Sequence, residues 1–558
     1  VRYNRLTGQS QNVAPEALRS GKYRMLRTMP LLFHPADPHT LLFATNVLWK
    51  TTNGGQDWEI ISPDLTRTHT EVPQSIGSFR TPDLDNMARR GVIYAVGASY
   101  QDARIIWAGT DDGLVHLTRD GGASWQNVTP PNLRSWDKVS QIDAGHFDTQ
   151  TAYIAINAFR LDDMRPHIYR THDNGISWKH IANGISNDPV NVVREDPIQP
   201  GLLFAGTERE VFFSIDDGEN WQSLRLNMPA TSIRDLVIHE NDLVIGTHGR
   251  SVWILDNISP LRELAKALAD KQAFLFQPAR ATRVRWNMFS DTPLPPEEPA
   301  GQNPPDGATI DYKLEVAAKN VAIEILDARG NRIRRFTSSD TPESVDTSSL
   351  PYPTYWFRPA HRPGTQPGHH RIVWDLRYSP PPGSERAYAI SAVYQQTPTG
   401  PDGPFVHPGT YTVRLIADGK SLERTIEVRL DPRVQLSSED LQLQTDFSLA
   451  CYQTYIRLQG IREAIDQKLA GTISDTQSSA LRALRGNGNP GGGDILYGSI
   501  YETSADKENL SSLQEKFLHL LTYLQSADAR PTNQTMQGVQ RLQEISGELE
   551  KRWMQLNK

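Results

Sequence analysis

One eight-residue pattern occurs four times in the first 258 residues, and a repeat at regular spacing restricts the fold more than any single residue does. The copies are TTNGGQDW at 51, TRDGGASW at 118, THDNGISW at 171 and SIDDGENW at 214. Each has a hydroxyl residue, then Asp or Asn two positions on, a Gly at the fifth position and Trp at the eighth. The pattern predicts a tight hairpin turn. Asn53, Asp120, Asp173 and Asp216 accept backbone N–H bonds inside it, and the Gly supplies positive φ. Trp58, Trp125, Trp178 and Trp221 then pack back between sheets, so all eight residues are expected to be structural.

The same strands recur around each copy. Apolar runs such as LLFHPADPHTLLFAT and RIIWAGTDDGLVHLT come before it, and short strands such as WQNVTP and WQSLRLN come after it. Four strands per repeat make one sheet of a β-propeller, a blade. Blades are predicted at 22–63, 88–130, 135–183, 187–226 and 230–258, the last without the box.

The motif resembles the Asp-box of the sialidases, the sortilin-type domains and related propellers, where it joins the two outer strands of a blade. The whole chain resembles secreted bacterial proteins of this sortilin-like, glycosyl-hydrolase-like kind. That resemblance implies a periplasmic or secreted location, and relatives about twice this length with more blades upstream. Residues 1–14 read as only the outer hairpin of a further blade, turning at Leu6 to Gly8. The expectation is therefore the C-terminal part of a longer protein, with the open end of residues 1–258 covered by an upstream propeller segment or a partner subunit.

After residue 258 the pattern changes. Residues 259–285 predict a short connecting helix and a strand. Residues 286–307 carry Pro293, Pro295, Pro296, Pro299, Pro304 and Pro305 without periodicity and read as a linker. Residues 308–433 return to strands, with hairpins turning at Arg329-Gly330-Asn331 and Asp418-Gly419, and predict an immunoglobulin-like β-sandwich. From 434 to 558 the period is helical. Ser437 and Asp440 form a capping box, Leu443, Phe447, Cys451, Leu458, Ile461 and Ile465 make one stripe, and Gly471 ends the helix. Two later helices near 507–526 and 533–556 complete a bundle. The fold class expected is thus mainly β, with propeller blades, a sandwich and a C-terminal α-helical hairpin or bundle.

Charge and motif content narrow the function. A balance of 58 basic against 65 acidic residues, with no basic run interleaved with aromatics, gives no footprint for nucleic acid. No apolar run approaches a transmembrane length. The single Cys451 excludes an intrachain disulfide. HExxH, GxSxG and EF-hand patterns are absent, GNGNPGGGD at 486 follows a helix and lacks the Lys-Ser/Thr of a phosphate loop, and no metal or cofactor is expected. His361, His369, His370 and His407 are expected in loops of the sandwich. Sialidase chemistry needs three convergent arginines, a Tyr–Glu pair and an acid–base Asp. Arg80, Arg104, Arg160, Arg209 and Arg250 do not by their spacing make that set.

Topology marks a better candidate. Turns between the second and third strands of propeller blades gather on one face, where ligands usually meet the fold. Here those turns supply Asn46, Asp111, Asp112, Arg160, Asp162, Asp163, Arg165, Glu208, Arg209, His248 and Arg250. A long connection on the same face, 64–90, adds Arg80, Asp83, Asp85 and Arg89. The ligand-binding set expected to share one depression is Asp111, Asp112, Arg160, Asp162, Glu208, Arg209, His248 and Arg250. Mixed charge there suits a protein, peptide or glycan ligand held without catalysis. The alternatives are a glycoside hydrolase of sialidase or xyloglucanase type and an assembly factor or subunit of a larger complex.

Overall fold

The computed structural model describes residues 1–69, 72–73, 81, 88–285, 301, 303–341, 347, 354, 362–385, 387–388, 399–488, 506 and 508–557. It divides into two compact units, Val1–Ala265 and Lys266–Lys558.

The first unit is a series of antiparallel meanders. A two-stranded hairpin, β1 (Arg2–Tyr3) and β2 (Ser10–Gln11), is followed by β3 (Leu31–His34), β4 (Asp37–Ala44), β5 (Leu48–Thr51) and β6 (Glu59–Ile60) in one sheet. The next sheet holds β7 (Ile93–Ala98), β8 (Ile106–Thr110), β9 (Val115–Thr118) and β10 (Gln126–Asn127). Then come β11 (Lys138–Ala144), β12 (Ala152–Asn157), β13 (His167–Thr171) and β14 (Lys179–His180), and after them β15 (Val190–Glu195), β16 (Leu203–Thr207), β17 (Val211–Ser214) and β18 (Gln222–Ser223). A three-stranded sheet of β19 (Ile233–His239), β20 (Asp242–Thr247) and β21 (Val252–Leu255) ends the series. Consecutive sheets share apolar cores. Trp107 and Val115 pack with Ile142 and Ile154, and Tyr153 and Ile168 with Val193 and Phe212. Sequential four-stranded sheets stacked in this way are the blades of a β-propeller.

The repeated box makes both the turn and the seam. At Thr118 the hydroxyl donates to Asp120 Oδ1 at 2.8 Å and accepts the Gly122 N–H at 2.9 Å, while Asp120 Oδ1 accepts the Ser124 N–H at 2.9 Å. The same three bonds recur at Thr171–Asp173–Gly175–Ser177 and at Ser214–Asp216–Gly218–Asn220. At 51 Asn53 takes the place of the Asp. Each Trp then reaches the blade before it. The indole N–H groups of Trp125, Trp178 and Trp221 donate to the carbonyls of Ile61, Val128 and Ile181 at 2.7, 2.7 and 2.6 Å, and that of Trp58 to Val13 at 2.8 Å. Gly122, at φ +103°, lies so close that a Cβ would stand 2.4 Å from the Ile61 carbonyl oxygen.

Helices α1 (Ser259–Arg262) and α2 (Leu264–Ala269) follow β21. In the second unit a three-stranded sheet, β22 (Phe274–Leu275), β24 (Ala308–Leu314) and β27 (Gly368–Trp374), shares one core with a five-stranded sheet. The latter runs β23 (Ala281–Arg283), β31 (Lys420–Leu430), β30 (Gly409–Ala417), β25 (Val321–Leu326) and β26 (Arg332–Thr337). Asp418 and Gly419, at φ +47° and +84°, make the β30–β31 turn, as Asp-Gly dipeptides do in two-residue hairpin loops. A short pair, β28 (Ala387–Tyr388) and β29 (Thr399–Gly400), makes up the remaining strands among the described residues. Of the expected linker 286–307, residues 286–300 and 302 lie outside the described residues.

Among the described residues four helices follow: α3 (Ser438–Leu469), α4 (Asp475–Arg485), α5 (Leu510–Gln525) and α6 (Asn533–Leu556). None of the described helices is long and apolar enough to cross a membrane. Two expectations need correction. The helix α3 closes at Ala470 in right-handed geometry, and Gly471 does not act as its left-handed cap. Its buried face also holds Gln444, Ser448, Tyr455 and Arg462, whereas Leu443, Phe447 and Ile461 are only partly buried. Two of these polar members bond across the bundle: Gln444 donates to the Leu524 carbonyl at 2.6 Å and Arg462 Nη1 to Gln514 at 2.9 Å. An apolar stripe drawn from the sequence misses such positions because burial here follows partners.

The seam is testable at Trp221, which is 4% exposed. Trp221→Phe keeps most of the packing but strands the Ile181 carbonyl, and chemical denaturation should show a loss of about 1–2 kcal/mol. The box carboxylates add acid sensitivity. Asp120 is pulled down to about 2 by the Ser124 hydroxyl, then the Ser124 N–H and Thr118. Because this folded value lies below the ordinary one, its contribution is complete above pH 4 and disappears between pH 4 and 2.

Candidate functional site

In a meander, the turn from second to third strand lies at the same end as the start of the inner strand. Successive blades join at that end. Ser140 near the start of β11 donates to the Val190 carbonyl at the start of β15, and Asn191 Nδ2 donates to the Ile233 carbonyl at the start of β19, at 3.0 Å. The second-to-third turns of the third, fourth and last sheets therefore share one side, and Lys138 at the start of β11, lying over the Tyr94 ring of β7, places that of the second blade with them.

A cleft of about 190 Å³ opens there between the second and third blades. Its lining is Pro73, Asp111, Trp136, Lys138, Asn157, Phe159, Arg160 and Leu161. Asp111 comes from the β8–β9 turn and is clamped to the residue before β7: Val92 N–H donates to its Oδ1 at 2.8 Å, and its own N–H donates to the Val92 carbonyl. Burial pushes the Asp111 carboxyl up to about 6. Neighbouring Asp112 adds to the rise, and the Val92 N–H and Arg160 oppose it. Lys138 opens β11 with its ammonium 4.6 Å from the centre of the Tyr94 ring. Burial first, then Arg160 and Arg234, bring Lys138 down to about 8 against the pull of Glu208 and Asp111.

Arg160 sits on a single 3-10 turn, Phe159–Leu161, that ends on Asp162 at φ +59°. Beside the cleft an amide relay crosses blades. Asn157 Nδ2 donates to Asn191 Oδ1 at 2.6 Å, and Asn191 Nδ2 donates to Glu208 Oε1 at 3.0 Å. Arg234 pairs with the same Glu208 oxygen at 3.2 Å. Burial works against this charge, but Ser232, Asn191, Arg234 and Lys138 hold the Glu208 carboxyl below its ordinary value.

Of the eight residues expected to share one depression, only Asp111 and Arg160 line the cleft. Glu208 stands next to it through the relay and through Lys138. Asp112 is turned inward: its Oδ1 accepts the Thr110 hydroxyl at 2.6 Å and its Oδ2 the Arg67 N–H at 2.9 Å, tying down the connection from the first blade. Asp162 is exposed and caps the 3-10 turn. Arg209, His248 and Arg250 are exposed on the turns of the last two sheets, where the Arg209 and His248 carbonyls accept from Thr231. Asn46, Asp163 and Arg89 are structural. Asn46 bonds Arg24 and Asp64, Asp163 is gripped by Arg134, Arg165 and His167, and Arg89 donates to the Thr66 and Arg67 carbonyls. Arg80, Asp83 and Asp85 lie outside the described residues. Counting turn residues alone missed Lys138 and Trp136, which enter from the start of an inner strand at the same end of the blade.

A second polar cluster lies within the third and fourth blades. Tyr153 donates to Asp217 Oδ1 at 2.6 Å and to Glu195 Oε1 at 3.4 Å, and Glu195 Oε2 accepts the His146 N–H at 2.7 Å. Asp143 accepts the Glu195 N–H at 2.8 Å and pairs with Arg194 at 3.1 Å. Glu195 is 4% exposed, and burial above all, with Asp143 and Asp217, pushes it up to about 7. Among the described residues no three His, Cys, Asp or Glu side chains converge as metal ligands do.

No protein-family model matches the chain, and no curated protein matches it. Among solved structures it is similar to the GH74 xyloglucanase of Xanthomonas campestris, at 20% identity over 41% of this chain and 36% of that one, with a TM-score of 0.30. A GH74 enzyme of Niastella koreensis gives 17% identity over the same shares and a TM-score of 0.30. YCF48 bound to D1 peptide gives 17% identity over 42% of this chain and 84% of that one, with a TM-score of 0.22. The chain spans about a third of the length of the two GH74 enzymes.

The buried Glu195 has a directional signature. Its folded value lies above the ordinary 4.5, so the stability it contributes is complete below pH 4.5 and is lost as pH rises toward 7. Glu195→Gln should flatten the unfolding midpoint across pH 4.5–7, and an unchanged slope would contradict this account of the cluster.

Proposed function

We propose that the first unit is a binding propeller that holds one polar, anion-bearing group of a protein, peptide or glycan partner in the cleft between its second and third blades, without catalysis. The observation that carries this reading is the cleft's lining: Lys138 and Arg160 facing a partly neutralised Asp111, with Trp136 and Phe159 as apolar walls. Cationic side chains beside a carboxyl of raised pKa suit an anion, and the aromatic walls accept a sugar face or an apolar side chain. Size points to a macromolecular partner. A volume of about 190 Å³ is below the roughly 300–1,000 Å³ of small-molecule sites, and it accommodates one residue or sugar unit of a larger chain.

The glycoside hydrolase reading requires two carboxyl groups flanking the scissile bond. The described lining supplies Asp111, while Glu208 is engaged by Asn191 and Arg234, and this ranks binding first. A role as an assembly factor is one form of the same binding reading. We further infer that the four boxes are Asp-boxes of the sialidase and sortilin-type propellers, supported by the shared geometry of hydroxyl, Asp or Asn side-chain oxygen and glycine, and that the sandwich of the second unit is of immunoglobulin type. A periplasmic or secreted location follows from that kinship.

Calorimetry with acidic peptides and acidic oligosaccharides tests the reading. Arg160→Ala and Lys138→Met should each weaken binding by roughly tenfold, the worth of one charge-assisted hydrogen bond of about 1.5 kcal/mol. Affinity should be highest below pH 6, where Asp111 is neutral, fall as pH rises through 6, and fall again through 8 as Lys138 loses its proton. Binding that survives both substitutions, or that strengthens from pH 5 to 7, would refute it.

A further inference from the structure

Two enclosed lysines of the second unit are held by oxygen partners. Lys313 Nζ donates to the Ala267 and Asp270 carbonyls at 3.0 and 3.2 Å and to Glu315 at 2.6 Å, and Lys516 is paired with Glu508. Lys138 is held differently. Its Nζ stands 4.6 Å from the centre of the Tyr94 ring, and among the described residues no oxygen takes a hydrogen bond or an ion pair from it. The same side chain lines the cleft with Asp111.

Two features suit this amine to act as a nucleophile. Burial, with Arg160 and Arg234, disfavours the ammonium and brings Lys138 from 10.5 down to about 8, against Glu208 and Asp111. At pH 7 about one such amine in ten is neutral, against about one in three thousand at the ordinary value. The Tyr94 ring face attracts the ammonium but leaves the lone pair of the neutral amine unengaged. The second feature is an acid in the same cleft. Asp111 Oδ1 accepts the Val92 N–H, whereas its Oδ2 accepts no hydrogen bond among the described residues. Burial raises this carboxyl to about 6, so it gives and takes back a proton near neutrality.

We propose that Lys138 captures its ligand covalently, as an imine with the aldehyde at the reducing end of an acidic oligosaccharide whose terminal unit is a uronate. This rests on the cleft reading above and chooses among its partners. Peptide carbonyls are amides and do not condense with an amine, whereas an opened uronate carries an aldehyde and a carboxylate on one sugar unit. The cleft of about 190 Å³ takes one such unit, and Trp136 and Phe159 supply apolar walls of the kind that sugar faces lie on.

The reaction needs no further reactant. The Lys138 Nζ lone pair bonds to the aldehyde carbon as the C=O π pair moves to oxygen, and Asp111 protonates that oxygen and takes a proton from the nitrogen. Asp111 then protonates the new hydroxyl, the C–O bond breaks, water leaves, and the nitrogen lone pair forms the C=N bond. The last N–H proton returns to Asp111. Amine and aldehyde have become imine and water, nothing is oxidised or reduced, and hydrolysis releases the ligand.

Reductive trapping tests this on the full chain. With trigalacturonate and cyanoborohydride at pH 7, peptide mapping by mass spectrometry should find the adduct at Lys138 at least about tenfold faster than at Lys271, whose side chain is 76% exposed. Calorimetry with the same trimer, its reducing end converted to the alcohol, reads the cleft alone, because that ligand keeps its carboxylates and has no aldehyde. Trapping at Lys138 no faster than at Lys271 would overturn covalent capture. If the reduced trimer then still binds, the anion site stands without the imine, and if it does not bind, the cleft reading falls as well.

Discussion

The first unit depends on one interaction made four times, an indole N–H donated to a carbonyl of the preceding blade or hairpin. Each sheet alone is a small meander with two apolar faces and could not bury its own core. The box solves two problems with the same eight residues. Its hydroxyl and carboxylate close the turn between the outer strands, and its Trp and Gly bring that turn against the neighbour. A buried indole N–H without a partner is costly, so the bond sets the register of one blade on the next as well as adding attraction. The glycine is required by distance, because at Gly122 and Gly218 a Cβ would stand 2.4 Å from Ile61 and Ile181 atoms.

With blades held in register, residues far apart in sequence meet at the opposite ends of the sheets. Asp111, Lys138, Arg160 and Glu208 come from three blades, and each alters the ionisation of at least one other. The effect is a cleft whose charge changes within two units of neutrality. Burial keeps Asp111 from ionising fully at pH 6, while Arg160 and Arg234 lower Lys138 further than burial alone would.

The repeat was legible because hydrogen-bond geometry fixes its spacing. A hydroxyl, a carboxylate two residues later and a Gly four residues later are needed to close that turn, so the pattern survives without any view of the neighbours. The cleft was half legible. Asp111 and Arg160 lie on turns that topology brings together, but whether a turn residue faces outward depends on its local bonds. Asp112, one residue from Asp111, is taken by Arg67 and Thr110, and Asp162 by the cap of a 3-10 turn. Lys138 was missed because a strand's first residue looks like any alternating position. In α3 the stripe was incomplete for a related reason: Cys451, Leu458 and Ile465 enter the core as expected, but Gln444 and Arg462 are buried beside them because carbonyl and amide partners on α5 and beyond receive them.

The most direct test of the seam is hydrogen exchange at the tryptophan side chains, followed by NMR on protein labelled with ¹⁵N in the indole ring. The account predicts that the Nε1 protons of Trp58, Trp125, Trp178 and Trp221 exchange only when blades separate, at rates matching the protected amides of the adjoining inner strands. Exchange of any of the four at the rate of a free indole, while those strand amides stay protected, would contradict it.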